Sequence, residues 1–168
     1  GVPRAPGTKR MNKQRLEMMR VMMERVVAGS WKPEFDVTAI ASEKNTKVTP
    51  DFEITKFNLD SWASVTKYDE TPGARKLVCG FSACAVGHAC FDEEFRKLGW
   101  SWEGSAPKFN KSTGIEAAVE FFEITDRQAR RLFMPDEYNY ANKHRELPAK
   151  VREAKMVADR IQQLMDGE

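Results

Sequence analysis

The chain has 168 residues, of which 41% are hydrophobic and 31% are charged, with a formal net charge of +2. This length suits one domain with its own core, and the hydrophobic fraction is too high for a disordered chain. No run approaches the roughly 18 to 20 apolar residues of a membrane span, and nothing resembles a signal peptide. We therefore expect a globular protein of a cytoplasm, and the small net charge does not by itself predict a nucleic-acid partner.

Positive charge is concentrated near the N-terminus. Residues 1–33 hold eight Lys or Arg and two Glu, a local charge of 8 − 2 = +6. Residues 1–11 contain two prolines and no apolar periodicity, which predicts an extended basic arm. Residues 12–168 are predicted to form a single globular helical domain. Within residues 1–33, the side chains that we expect to contact a partner are Arg4, Lys9, Arg10, Lys13 and Arg20.

A first helix is predicted from about Asn12 to Ala28, with Gly29 as its stop. Its apolar residues recur at helical spacing and are rich in methionine. Such a stripe is typical of core packing, and an adaptable partner-binding surface is the alternative. The stripe consists of Leu16, Met19, Met23 and Val26, widened by Met18 and Met22.

The middle of the chain has a weaker helical signal. Between residues 30 and 80, short alternating pieces such as 52–57 predict a small hairpin or an irregular segment. Residues 100–113 are predicted to form a loop. Trp100 and Trp102, at the start of that loop, are candidates either for the core or for a partner contact.

Four further helical patterns follow, covering about 82–98, 113–122, 125–133 and 148–166. Thr125 forms a capping box for the third of these. The patterns predict a mainly α fold, a compact helical domain of about five helices with the hairpin or irregular segment between residues 30 and 80. An α+β arrangement is the alternative.

A cluster of cysteines and one histidine has the ligand types that tetrahedral zinc accepts. Cys79, Cys84, His88 and Cys90 form a C-x4-C-x3-H-x-C run. Cys84 and His88 share a helical face, whereas Cys90 points about 200° round the helix from His88. Because the run lacks a CxxC pair, the alternative is a helix packed closely through small side chains.

The same segment permits a cysteine nucleophile. Cys79 precedes a predicted helix N-terminus, which lowers the pKa of a thiol, and His88 or His144 would be its base. A zinc- or cysteine-dependent enzyme is therefore a third hypothesis for this chain. Phosphate-binding glycine loops and HExxH or GxSxG patterns are absent from the sequence, so an enzyme is not favoured.

Three arginines mark a basic helix face. Arg127, Arg130 and Arg131 lie on the outer side of the predicted helix 125–133, which follows a tight corner and has the outline of a helix-turn-helix. Guanidinium groups in this setting bind phosphates. The alternative is a solvated face, because the acidic residues Asp126, Asp136 and Glu137 are close in sequence.

The segment from Cys79 to Ala89 resembles a C-G-T-x-x-C-x-x-G-x-A segment of small, uncharacterised bacteriophage and bacterial proteins. The order of motifs extends the resemblance to 57–62 before it and to 121–122 and 132–135 after it. Phe81 stands where the family has a small hydroxyl residue, and His88 stands where many members have tryptophan. The resemblance implies an origin in a bacteriophage or mobile element and no established activity.

The leading expectation is a non-enzymatic, phage-type accessory or virion-associated protein that binds another macromolecule. The expected partner is a protein or a second copy of the chain, with nucleic acid as the alternative and no membrane. Zinc is the one cofactor considered, and otherwise none is expected. The expected location is the cytoplasm of a bacterial host or the virion.

Overall fold

The computed structural model describes residues 11–33, 55–57, 59, 64–70, 76–103, 106–139 and 143–167. For residues 55–56, 64–70 and 76–83 this description covers the backbone alone. The predicted arm therefore lies almost wholly outside the described residues. No helix in the described part is long and apolar enough to cross a membrane.

Helices contribute most of the regular structure. The described ranges contain α1 Lys13–Val27, α2 Ala85–Ala89, α3 Glu93–Lys97, α4 Gly114–Phe122, α5 Asp126–Phe133 and α6 Ala149–Met165, with a 3₁₀ turn at Pro135–Glu137. The six helices differ from the predicted five because the pattern at about 82–98 divides into α2 and α3. Asp92 causes the division, since its carboxylate accepts hydrogen bonds from the backbone N–H groups of Glu94 and Phe95 and caps a new helix.

Two small sheets accompany the helices. The first contains β1 Thr55–Phe57, β2 Ser64–Glu70 and β3 Lys76–Ala83 in the order β1-β3-β2. Strands β2 and β3 are antiparallel, as in the hairpin alternative predicted between residues 30 and 80, although β3 continues to Ala83. Strand β1, which falls in the predicted piece 52–57, is parallel to β3. The second is an antiparallel sheet of β4 Trp100–Glu103, β5 Ala106–Phe109 and β6 Ser112–Thr113. Six helices and two small sheets are compatible with both the predicted mainly α fold and the α+β alternative.

The second sheet corrects the predicted loop at 100–113. Trp100 pairs with Phe109, and Trp102 pairs with Pro107. The strands are too short for an alternation of apolar and polar residues to be recognised. A proline in the sequence also argues against a strand at that position. Pro107 lies in the central strand, but β6 pairs only with Lys108 and Phe109, so β6 requires no N–H from Pro107.

The helices of the two ends of the chain meet in the core. Helix α1 packs along α6, and β1 lies beside α6. The apolar stripe of α1 is buried, at 4% exposure or less for Leu16, Met19, Met22, Met23 and Val26. This confirms the core interpretation of the methionine stripe. The corresponding stripe of α6 is also buried: Val151, Ala154, Val157, Ala158, Ile161 and Leu164.

Helix α1 is fixed at both ends. The Asn12 side chain caps its start by accepting a hydrogen bond from the Arg15 N–H at 3.1 Å. Arg15 Nη1 donates to the Phe121 carbonyl at 3.0 Å, where α4 ends. Farther along, Lys155 Nζ of α6 lies 2.7 Å from Glu24 Oε1. These contacts anchor α1 to α4 and α6, so its outward face is a rigid surface.

Candidate functional site

The cysteine and histidine segment lies inside the protein. Cys84 is the N-cap and Cys90 the C-cap of α2, and both thiols are buried. His88 is fully buried on the same helix. The side chain of Cys79, in β3, is outside the described part of the chain. Ser82 was expected to begin this helix, but it lies in β3, which continues to Ala83.

The described members of the segment point in different directions. His88 Nδ1 donates to the Cys84 carbonyl at 2.8 Å, and its ring lies 4.5 Å from the ring of Trp31 and 5.5 Å from that of Phe57. Cys90 Sγ contacts the Ser101 carbonyl at 3.2 Å. Among the described residues, no three His, Cys, Asp or Glu are grouped to hold a metal ion. Because the side chain of Cys79 lies outside the described part of the chain, the zinc site stays a prediction.

Burial also suppresses thiol chemistry here. It raises the pKa of Cys84 to about 11, and it raises the pKa of Cys90 as well. Both thiols are therefore protonated at neutral pH and are not activated nucleophiles. The other proposed base, His144, has its Nε2 atom 2.8 Å from Asp159 Oδ2. A nucleophile at Cys79 stays a prediction.

The basic side chains of α1 are largely compensated within the protein. Arg20 donates to both carboxylate oxygens of Glu17, one of them at 2.9 Å. Arg25 Nη1 lies 3.6 Å from Asp92 Oδ1. Lys13 is exposed at the start of the helix. The remaining predicted contact residues, Arg4, Lys9 and Arg10, fall outside the described residues.

The two candidate tryptophans have different positions. Trp100 is 2% exposed, and its ring packs 5.3 Å from that of Phe121 and 5.8 Å from that of Phe109. Trp100 is therefore a core residue, which corrects its assignment to a partner contact. Trp102 is partly exposed and lies 6.0 Å from the Phe91 ring.

A groove runs between α1 and α3. Its volume is about 400 Å³, within the size range of pockets that hold ligands. Its apolar wall includes Val21, which is 44% exposed and is one of two large hydrophobic residues so exposed in the described part of the chain. The lining residues, which we call the α1 groove, are Gln14, Glu17, Met18, Val21, Met22, Arg25, Asp92, Glu94 and Phe95.

A buried aspartate holds one end of the α1 groove. Asp92 is 4% exposed, and its Oδ1 accepts a hydrogen bond from Trp31 Nε1 at 3.0 Å. Its Oδ2 accepts the N–H groups of Glu94 and Phe95 at 3.1 and 3.3 Å. One oxygen thus binds Trp31, which follows α1, and the other binds the N-terminus of α3. Asp92 therefore fixes the relative position of the two helices.

The arginines of α5 are not equivalent. Arg130 Nε lies 2.8 Å from Asp126 Oδ2, one helical turn away. Arg127 and Arg131 instead line a cavity of about 90 Å³ with Arg160 of α6. The lining residues, which we call the arginine cavity, are Arg127, Gln128, Arg131, Leu132, Arg160 and Leu164. Arg160, rather than the predicted Arg130, therefore lies with Arg127 and Arg131.

Two important residues were missed in the sequence. Arg160 lies 29 positions from Arg131, so only the packing of α6 on α5 brings them together. Val21 falls outside the buried stripe of α1. Its apolar side chain on a mainly polar face of the helix is the pattern that could have identified it.

Comparison with known proteins adds no assignment. No protein-family model matches the chain, and neither a curated protein nor a solved structure matches it.

Proposed function

We propose that this protein has no catalytic role and acts by binding another protein through the α1 groove. The observation that supports this is an exposed Val21 beside the partly exposed Met18 in a concave, mainly apolar surface. Apolar residues gathered in a groove mark binding surfaces more often than single exposed residues do. The methionine side chain adapts to different shapes, so Met18 suits the recognition of a partner.

The rigidity of α1 supports the same role. Its buried stripe packs on α6, and Asp92 holds α3 against the opposite side of the groove. A preformed groove loses little conformational entropy when a partner binds. The proposed partner therefore docks onto an existing surface.

The charges around the α1 groove indicate the chemistry of the partner. Of the acidic lining residues, Glu17 is paired with Arg20 and Asp92 with Arg25. The third, Glu94, has its Oε1 atom 3.5 Å from Lys97 Nζ. The acidic and basic groups therefore largely cancel. Binding is then expected to come from apolar burial rather than from net charge. We propose that the partner presents an amphipathic helix whose Leu- or Met-sized side chains fill the groove.

An accessory or virion-associated role in a bacteriophage is part of this proposal. It rests on the resemblance of the segment from Cys79 to Ala89 to small phage and bacterial proteins. The burial of Cys84, His88 and Cys90 is compatible with that segment serving as packing. The partner would then be a bacterial host protein or another phage protein.

Site-specific photo-crosslinking tests the proposal. A photoreactive amino acid replaces Val21 in one variant and Leu98 in the other, and each is irradiated in a lysate of the bacterium in which the gene is found. Leu98 is the matched control because it is 42% exposed but does not line the groove. We expect one protein to be crosslinked from position 21 and not from position 98.

The crosslinked protein is then purified and mixed with the unmodified chain, and the complex is measured by sedimentation. A stable complex of the two pure proteins is expected. The proposal is wrong if both positions give the same crosslinked species, if position 21 gives none, or if the crosslinked species is a second copy of this chain.

A further inference from the structure

We infer that Arg25 selects the partner of the α1 groove by binding a carboxylate of the docked helix, one helical turn from the apolar side chain that packs on Val21. This role rests on the proposed function, since it concerns the same groove and the same kind of partner. It adds a feature that apolar burial alone does not define, which is the position of one acidic residue in the partner.

Arg25 supplies the positive charge of the α1 groove. Among the described residues that line the groove, it is the one basic side chain. Glu17, in the same lining, accepts two hydrogen bonds from Arg20, which lies outside it. Glu94 lies 3.5 Å from Lys97, which is also outside the lining. A basic residue of the partner would compete with these cations, whereas an acidic residue would meet Arg25.

Asp92 pairs with Arg25 without using its hydrogen-bond donors. Arg25 Nη1 lies 3.6 Å from Asp92 Oδ1, which is longer than a hydrogen bond. The carboxylate instead accepts three N–H groups, one from the Trp31 indole and two from the backbone of α3. The Arg25 side chain is 46% exposed, so its guanidinium can receive a second carboxylate from the solvent side. Asp92 therefore keeps the guanidinium near the groove and leaves N–H donors for a partner.

The spacing along α1 places this charge one turn from the apolar contact. Met18, Val21 and Arg25 are separated by three and four residues, so they form one row on the helix. Four residues of helix span about 6 Å. A partner helix that runs along α1 and sets an apolar side chain against Val21 therefore brings its next turn to Arg25. An Asp or Glu three or four residues from that side chain reaches the guanidinium.

The acidic residue contributes selectivity rather than most of the affinity. Charged pairs at the rim of an interface suppress wrong partners and fix register more than they strengthen binding. Because Asp92 offsets part of the charge of Arg25, we expect the acidic residue to strengthen binding about fivefold. The two groups would be in contact, well within the Debye length of about 8 Å at 0.15 M ionic strength, so their attraction changes little with salt.

Selection of peptides on the purified full chain tests the role of Arg25. The library consists of alanine-rich helical peptides of about 20 residues, with apolar residues at helical spacing and with random residues one turn before and after them. It is selected separately on the wild type, Val21→Glu, Arg25→Gln and Lys13→Gln. Lys13→Gln is the matched control, because Lys13 is an exposed cation of α1 that does not line the groove. Thermal unfolding verifies that every variant folds.

We expect the wild type and Lys13→Gln to enrich Asp or Glu one turn from an apolar residue. Arg25→Gln should enrich the same apolar residues without the acidic preference. In a selected peptide, replacing the acidic residue by its amide should weaken binding to the wild type about fivefold, and binding to Arg25→Gln by less than about twofold, measured by fluorescence anisotropy.

Two different failures separate this role from the proposed function. Peptides that bind the wild type but not Val21→Glu, with no acidic preference or with one that Arg25→Gln retains, overturn the role of Arg25 and leave the groove as a binding surface. Equal enrichment by the wild type and Val21→Glu overturns the groove as the binding surface, and the role of Arg25 with it.

Discussion

The α1 groove and the arginine cavity both lie beside helices rich in basic residues, yet their linings differ. The groove is lined by Glu17 and Asp92, which are paired with Arg20 and Arg25, and by apolar side chains. The cavity is lined by three arginines, a glutamine and two leucines. The number of basic residues in a segment therefore does not determine the character of its surface, because packing decides which side chains meet there.

The largest expected effect is at Asp92. Replacing it in Asp92→Ala removes the cap of α3 and the acceptor of Trp31 Nε1. We expect the free energy of unfolding to fall by about 3 kcal/mol, since a cap and a buried acceptor are lost together. Urea denaturation measures this, and the α1 groove should lose its partner as well.

Asp126→Ala provides the comparison, since Asp126 is an exposed aspartate in the first turn of α5. It should cost less than about 1 kcal/mol, because its ion pair with Arg130 is exposed. Equal losses in the two variants would mean that Asp92 does not hold the two helices together.

Alkaline pH should destabilise the interior through the buried Cys84 thiol. The pKa of this thiol is raised from 9.0 to about 11, so the folded state favours the protonated thiol. This contribution to stability is complete below pH 9 and is lost as the pH rises towards 11, by about 2 kcal/mol.

The measurement is the free energy of unfolding as a function of pH, for the wild type and for Cys84→Ala. The variant should show a smaller decline between pH 9 and 11. Identical declines would show that Cys84 titrates normally and is not enclosed.

Salt should have little effect on binding in the α1 groove. Raising the ionic strength from about 0.01 M to about 0.15 M shortens the Debye length from about 30 Å to about 8 Å. We expect partner binding in the α1 groove to change by less than about twofold, because apolar burial is not screened by salt. Calorimetry at the two salt concentrations measures this, and a loss of about tenfold or more would contradict binding through apolar contact.

The smallest effect is expected for Arg160→Lys. Lysine keeps the charge but lacks the planar group that stacks on Tyr138 and reaches two carbonyls. The free energy of unfolding should fall by about 1 kcal/mol, measured by urea denaturation. A variant with wild-type stability would show that the geometry of Arg160 is unimportant and that its charge is sufficient.

Local patterns in the sequence predicted the structure correctly where a feature depends on a single helix. The bounds of α1, its buried stripe and the Thr125 capping box were all predicted, because helical spacing and caps depend on neighbours in sequence. The hairpin before residue 80 was also anticipated. These features need no knowledge of tertiary contacts.

Features that depend on packing were not predictable. The sheet around Trp100 and Pro107 has strands of four residues or fewer, so no periodicity could show it. The arginine cavity needs Arg160, which only the docking of α6 brings to α5. The pairing of Arg25 with Asp92 likewise joins distant parts of the chain, so the basic face of α1 seemed more available than it is.

The affinity of the purified partner for Val21→Glu and Leu98→Glu tests the central claim most directly. A glutamate at position 21 removes apolar contact and brings a charge into the α1 groove, which should weaken binding by about 2 kcal/mol, or roughly 30-fold. The same change at position 98, where exposure is nearly equal, should leave the affinity unchanged. Equal affinities of the two variants for the partner would contradict binding through this groove.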